Sequence, residues 1–184
     1  MVDFTLTEAQ STLRKGAQAF AQTVLATAPS IYNALPDQRS RFESMRPIYS
    51  QAVSAGLIAG QIPTPLGGTS NGMIDAMIVV EELYAVEPSA ALTILGTGLG
   101  LTPLILAGSE EQKKRFLEPF LKGEGEPLAA FVHSEPQGTA NWLEEGAPGL
   151  QTTAWFDEEK AEWVVDGEKV CEHFIEQLNL VPSL

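Results

Sequence analysis

At 184 residues the chain has the length of one ordinary domain or two small ones, and its 44% hydrophobic content can bury a core without disulfides or metal. Twenty-four acidic against 11 basic side chains give a net charge of −13 with no Lys/Arg cluster, which excludes nucleic acid as an expected partner. The single cysteine, Cys171, excludes an intramolecular disulfide and a Cys-rich zinc site, so an intracellular, cytoplasmic setting is expected.

The opening Met1-Val2-Asp3-Phe4 has no basic region followed by an apolar stretch, so no signal peptide is expected. Thr7 and Gln10 fit a capping box at a helix start. Leu13, Ala17, Phe20 and Val24 then form one apolar stripe, with Pro29 expected to close the helix. A second helical stretch holds Phe42 and Met45. Pro47 opens a further turn carrying Ile48, Ala52 and Val53, and Gly56 suits a left-handed cap.

Pro63, Pro65 and Gly67-Gly68 punctuate an irregular loop over 61–72. Helical spacing returns with Ile74 and Ile78; Glu81 and Glu82 cannot share one face as a paired acid and base, and read as helix surface. Ser89 to Gly108 is uncharged and about 20 residues long, the length of a membrane span. Its glycines, threonines and Pro103, and the lack of close basic residues on its N-terminal side, favour the central, fully buried helix of a soluble bundle, with no membrane partner. Ser109 and Gln112 form a second capping box, Phe116, Leu117 and Phe120 supply that helix's buried side, and Pro119 marks its end.

After Gly123-Glu124-Gly125-Glu126-Pro127 the texture changes. Leu128 to His133 is short, apolar and free of helical period, and reads as a strand. Leu150 to Phe156 and Glu162 to Val165 read as a hairpin turning at Asp157 to Lys160 and marked by Trp155 and Trp163. The expected fold class is α+β: an N-terminal all-α helical bundle over 1–125, a truncated β-barrel-type domain over 126–170 and a tail over 171–184.

Several stretches fall in order along one family pattern. They are Pro63 to Gly68, Gly108 to Leu117, His133-Ser134-Glu135-Pro136 with Gly138, and Trp163 to Lys169. On these the chain resembles the N-terminal helical domain and the start of the middle β-domain of the acyl-CoA dehydrogenase superfamily. Val86-Glu87-Pro88, Gly123 to Leu128, His133 to Leu143 and Pro148 to Thr153 resemble the nitroalkane oxidase branch in particular. Acyl-CoA dehydrogenases usually carry Thr-Glu-Pro and Gly-Ser-Asp in this loop. Here it reads Ser134-Glu135-Pro136 and Gly138-Thr139-Ala140-Asn141, which weakens the case for a CoA thioester substrate.

The resemblance implies FAD as cofactor, contacted by Phe131, Val132, His133 and Ser134, with Gly138, Thr139, Ala140 and Asn141 nearby on the same loop. Backbone N–H groups and a small hydroxyl suit the polar edge of a flavin, and Gly138 allows close backbone approach. From residue type alone, Ser134 and Asn141 equally suit a turn and His133 a structural role. With His173 the only other histidine, no metal site and no Ser-His-Asp arrangement can be built.

The resemblance further implies oxidation of a small nitroalkane to an aldehyde or ketone plus nitrite, with oxygen reoxidising the flavin. It also implies a homotetramer. The family's carboxylate base lies in a C-terminal domain that this chain lacks, so no catalytic residue is assigned here and an incomplete fragment is expected. After Lys169 the family pattern stops, and 170–184 matches none of it. Acyl-CoA dehydrogenase chemistry is one alternative; the other is a non-enzymatic module pairing with full-length homologues through its unfinished sheet.

Overall fold

The computed structural model describes residues 5–136 and 144–170. The chain divides into two compact units, Met1–Ala129 and Ala130–Leu184. The first carries α1 (Glu8–Thr23), α2 (Ala28–Tyr32), α3 (Gln38–Glu43), α4 (Arg46–Ser54), α5 (Met73–Tyr84), α6 (Pro88–Ala107) and α7 (Glu110–Leu121). The second carries an antiparallel hairpin of β1 (Thr153–Asp157) and β2 (Glu162–Asp166). A helical unit followed by a small sheet is the expected α+β class. The opening residues 1–4 and the tail over 171–184 lie outside the described residues.

α1 and α7 open on the two expected capping boxes: the Thr7 and Ser109 hydroxyls each accept the third helical N–H, and Gln10 and Gln112 answer to the cap N–H. α1 stops at Thr23, earlier than Pro29 implies, because a tight 3-10 turn at Leu25–Thr27 follows it. Pro29 instead sits in the first turn of α2, where a missing N–H loses no helical bond. Pro47 has the same place in α4, as expected. Pro119 does not end α7; it lies inside, and the helix runs on to Leu121. Leu117 and Phe120 are buried as expected, but Phe116 is 38% exposed, with the Arg115 guanidinium 5.1 Å from its ring centre.

α1 lies against α5. The Arg14 guanidinium pairs with the Glu82 carboxylate at 2.6 Å, and Gln10 donates to Asp75 at 3.2 Å. Glu82 is therefore not helix surface. It is 8% exposed, and its charge is met by an arginine whose own side chain keeps half its area in water.

α6 packs on α4, α5 and α7 but is not buried all round. Ala90, Ala91, Ile94, Thr97 and Leu101 face the core, while Leu92, Leu99 and Leu106 are 49%, 58% and 78% exposed. Among the described residues it is the helix long and apolar enough, by length and composition, to cross a membrane. Buried Glu87 caps it, accepting from the N–H groups of Ser89 and Ala90 and from the Tyr32 hydroxyl. Tyr49 of α4, also buried, shares a 2.8 Å hydrogen bond with Thr97 and donates to the Pro127 carbonyl at 2.6 Å. Burial pushes its hydroxyl pKa up to about 12.

The loop before α5 is joined to α6 by one side chain. The Gln61 amide donates to the Leu57 and Ile94 carbonyls, both at 3.0 Å, and its oxygen accepts the Gly98 N–H at 3.1 Å. A Cβ at position 98 would stand 2.1 Å from that oxygen, so the contact requires glycine. In the same loop Gly67 turns through φ +90°, and a Cβ on Gly68 would meet the Ile62 carbonyl.

In the hairpin Trp155 faces Val164 and Phe156 faces Trp163, whose rings meet edge-on at 5.6 Å. The Asp157 carboxylate accepts the N–H groups of Glu159 and Lys160, shaping the turn. Ala161 closes that turn at φ +52°, a left-handed conformation that suits glycine. Leu128 to His133 is not a strand. Among the described residues it pairs with no strand, and the sheet consists of β1 and β2 alone.

Two stability outcomes follow. Gly98→Ala should displace Gln61 and lower thermal stability by about 1–3 kcal/mol, read by circular dichroism of the helices. Ala161→Gly should relieve the left-handed turn and stabilise the hairpin by about 1 kcal/mol, read from the Trp155 and Trp163 fluorescence transition.

Candidate functional site

The expected cofactor segment lies at the start of the second unit. Phe131 and His133, two residues apart, stack their rings with centres 5.3 Å apart and planes at 21°. Phe131 and Ser134 are exposed; Val132 and His133 are half-buried. Gly138, Thr139, Ala140 and Asn141 lie outside the described residues.

The segment is held by side chains and single hydrogen bonds in place of a sheet ladder. At its centre is Glu135, 4% exposed. One carboxylate oxygen accepts the Gln151 N–H at 2.6 Å; the other accepts the Thr152 N–H at 3.0 Å and pairs with the Lys169 ammonium at 2.9 Å. That ammonium also donates to the His133 carbonyl at 3.0 Å, and the Val170 N–H donates to the Ser134 carbonyl at 3.1 Å. The Gln151 N–H foremost, then Lys169, hold the Glu135 carboxyl down at about 2, against an ordinary 4.5.

Neither Glu135 nor Lys169 stood out as a functional residue in the sequence. The available signal was a charged residue between Ser134 and Pro136 in an otherwise uncharged stretch, and a lysine ending the Trp163 to Lys169 run. Their separation along the chain hides the pairing.

This arrangement suits one wall of a flavin site. It offers a stacked ring pair for apolar contact, a small exposed hydroxyl on Ser134, and main-chain groups whose geometry is fixed from behind. The one anionic side chain of 131–136 is engaged by three donors, so it does not confront an electron-rich ring edge.

The family model for the acyl-CoA dehydrogenase N-terminal domain matches residues 7–124. A nitroalkane oxidase of Fusarium oxysporum is 53% identical over 170 residues, which make up 92% of this chain and 38% of that protein. A Mycobacterium leprae protein named probable acyl-CoA dehydrogenase is 32% identical over 166 residues, 90% of this chain and 39% of that protein. A solved nitroalkane oxidase crystallized with 1-nitrohexane superposes with a TM-score of 0.86 at 52% identity, covering 93% of this chain and 39% of that one. The chain thus spans well under half the length of each.

Glu135 gives a measurable pH signature. Because its folded-state pKa is depressed, its stabilising contribution is complete above about 4.5 and is lost as pH falls toward about 2. A carboxyl-carbon NMR titration should place the Glu135 midpoint near 2. Lys169→Met should raise it only part of the way, since the Gln151 N–H acts first.

Proposed function

The chain belongs to the acyl-CoA dehydrogenase family through its N-terminal domain, and we propose that within this family it serves nitroalkane oxidation by supplying one wall of an FAD site. The observation that carries this reading is the contrast in identity over nearly the same residues. Likeness to nitroalkane oxidase, a flavoprotein, is far higher than likeness to the acyl-CoA dehydrogenase compared.

In this reading Val132, His133 and Ser134 bind the polar edge of the flavin through main-chain groups and the Ser134 hydroxyl, and Phe131 with His133 excludes water beside the ring. For Gly138, Thr139, Ala140 and Asn141 a flavin role rests on the family resemblance and residue type alone, glycine being the type that permits close backbone approach. When bound, FAD supplies the electron-accepting chemistry, and these residues set its position.

A chimera decides between the substrates. Replacing the matching 170 residues of the Fusarium oxysporum nitroalkane oxidase with the corresponding residues of this chain, without its unmatched tail, should give an FAD-loaded protein that releases nitrite from nitroethane. An FAD-loaded chimera that releases none, and whose flavin is bleached by a short acyl-CoA, would overturn the proposal.

A further inference from the structure

Resting on the flavin-wall reading, we propose that Glu135 and Lys169 are positioning residues: together they fix the main chain at His133-Ser134 in the form that receives the flavin edge. The carboxylate ties this segment to Gln151 and Thr152, just ahead of β1. Lys169 reaches the same carboxylate from the residues that follow β2 and also takes the His133 carbonyl. Its neighbour Val170 takes the next carbonyl, that of Ser134.

Two consecutive carbonyls are thus bound by two consecutive residues. Each peptide unit is planar and trans, so the N–H on the far side of each unit points the opposite way from its carbonyl. Fixing the carbonyls of His133 and Ser134 therefore directs the N–H groups of Ser134 and Glu135 away from Lys169 and Val170. A sheet ladder is not available to do this, because the segment has no neighbouring strand among the described residues. The side-chain pair takes its place. Its burial, with side chains 3% exposed for Glu135 and 21% for Lys169, keeps water from competing for the same groups.

The test uses the full chain as wild type, Glu135→Gln, Lys169→Met and the conservative Lys169→Arg. Two readouts are taken: residue-resolved amide exchange without flavin, and FAD titration followed by the position of the flavin absorbance band. Exchange at Gln151, Thr152 and Val170, whose N–H groups the clamp holds, should quicken about tenfold in Glu135→Gln and Lys169→Met, with α1 to α7 unchanged. FAD binding should weaken about tenfold in the same two variants, with the band moving toward that of free FAD, while Lys169→Arg keeps both properties.

Unchanged exchange in Glu135→Gln would overturn the clamp. Quickened exchange with unaltered FAD affinity and band would reduce the pair to a structural tie and overturn positioning. If the wild-type chain leaves the flavin spectrum unperturbed, the flavin reading fails for this chain while exchange still decides whether Glu135 and Lys169 hold the segment.

Discussion

The carboxamide of Gln61 ties the loop before α5 to two main-chain groups of α6 one helical turn apart. It donates to the Ile94 carbonyl and accepts the Gly98 N–H. The irregular loop and the most apolar helix of the first unit therefore share one set of hydrogen bonds. Neither can shift without leaving a part-buried polar group unanswered, a cost of roughly 1–3 kcal/mol. The remaining features of that unit accord with this placement. Glu87 caps the start of α6, Tyr49 holds its middle through Thr97, and Gly68 lets the loop fold tightly against Ile62.

What could be read from the sequence was local. The capping boxes at Thr7 and Ser109, proline in the first turn of α4, and the hairpin marked by Trp155 and Trp163 are each written within a few neighbouring residues. The one-sided burial of α6 was not legible, because a helix apolar on every side carries no stripe to show which face turns inward. Pro29 misled for a related reason: a proline forbids the continuation of a helix and equally suits the start of one. Glu82 looked like surface because its partner, Arg14, lies far away along the chain. Leu128 to His133 has the composition of a strand, but composition does not provide the partner that a strand requires.

The candidate site divides along the same line. Phe131, Val132, His133 and Ser134 were visible as a motif, since family patterns preserve consecutive residues. The Glu135–Lys169 pair was not, since it exists only after the chain has returned through the hairpin. The residues that face outward were thus legible, and those that hold them from behind were not. A buried carboxylate answered by two backbone N–H groups and an ammonium is also more directional than apolar packing, which fixes volume but not the angle of a peptide plane.

The leucines left exposed on α6 bear on how the protein behaves as a colloid. Leu92, Leu99 and Leu106 repeat every seven residues, a row that drifts only about 20° per step on a straight helix, so they form a nearly linear oily ridge about 21 Å long. The ridge belongs to a chain with a charge of −13, and mutual repulsion between copies is expected to oppose contact between such ridges at low ionic strength. Added sulfate screens that repulsion and strengthens apolar association at once. Ionic strength is accordingly expected to act on contact between such ridges from two directions that do not oppose each other.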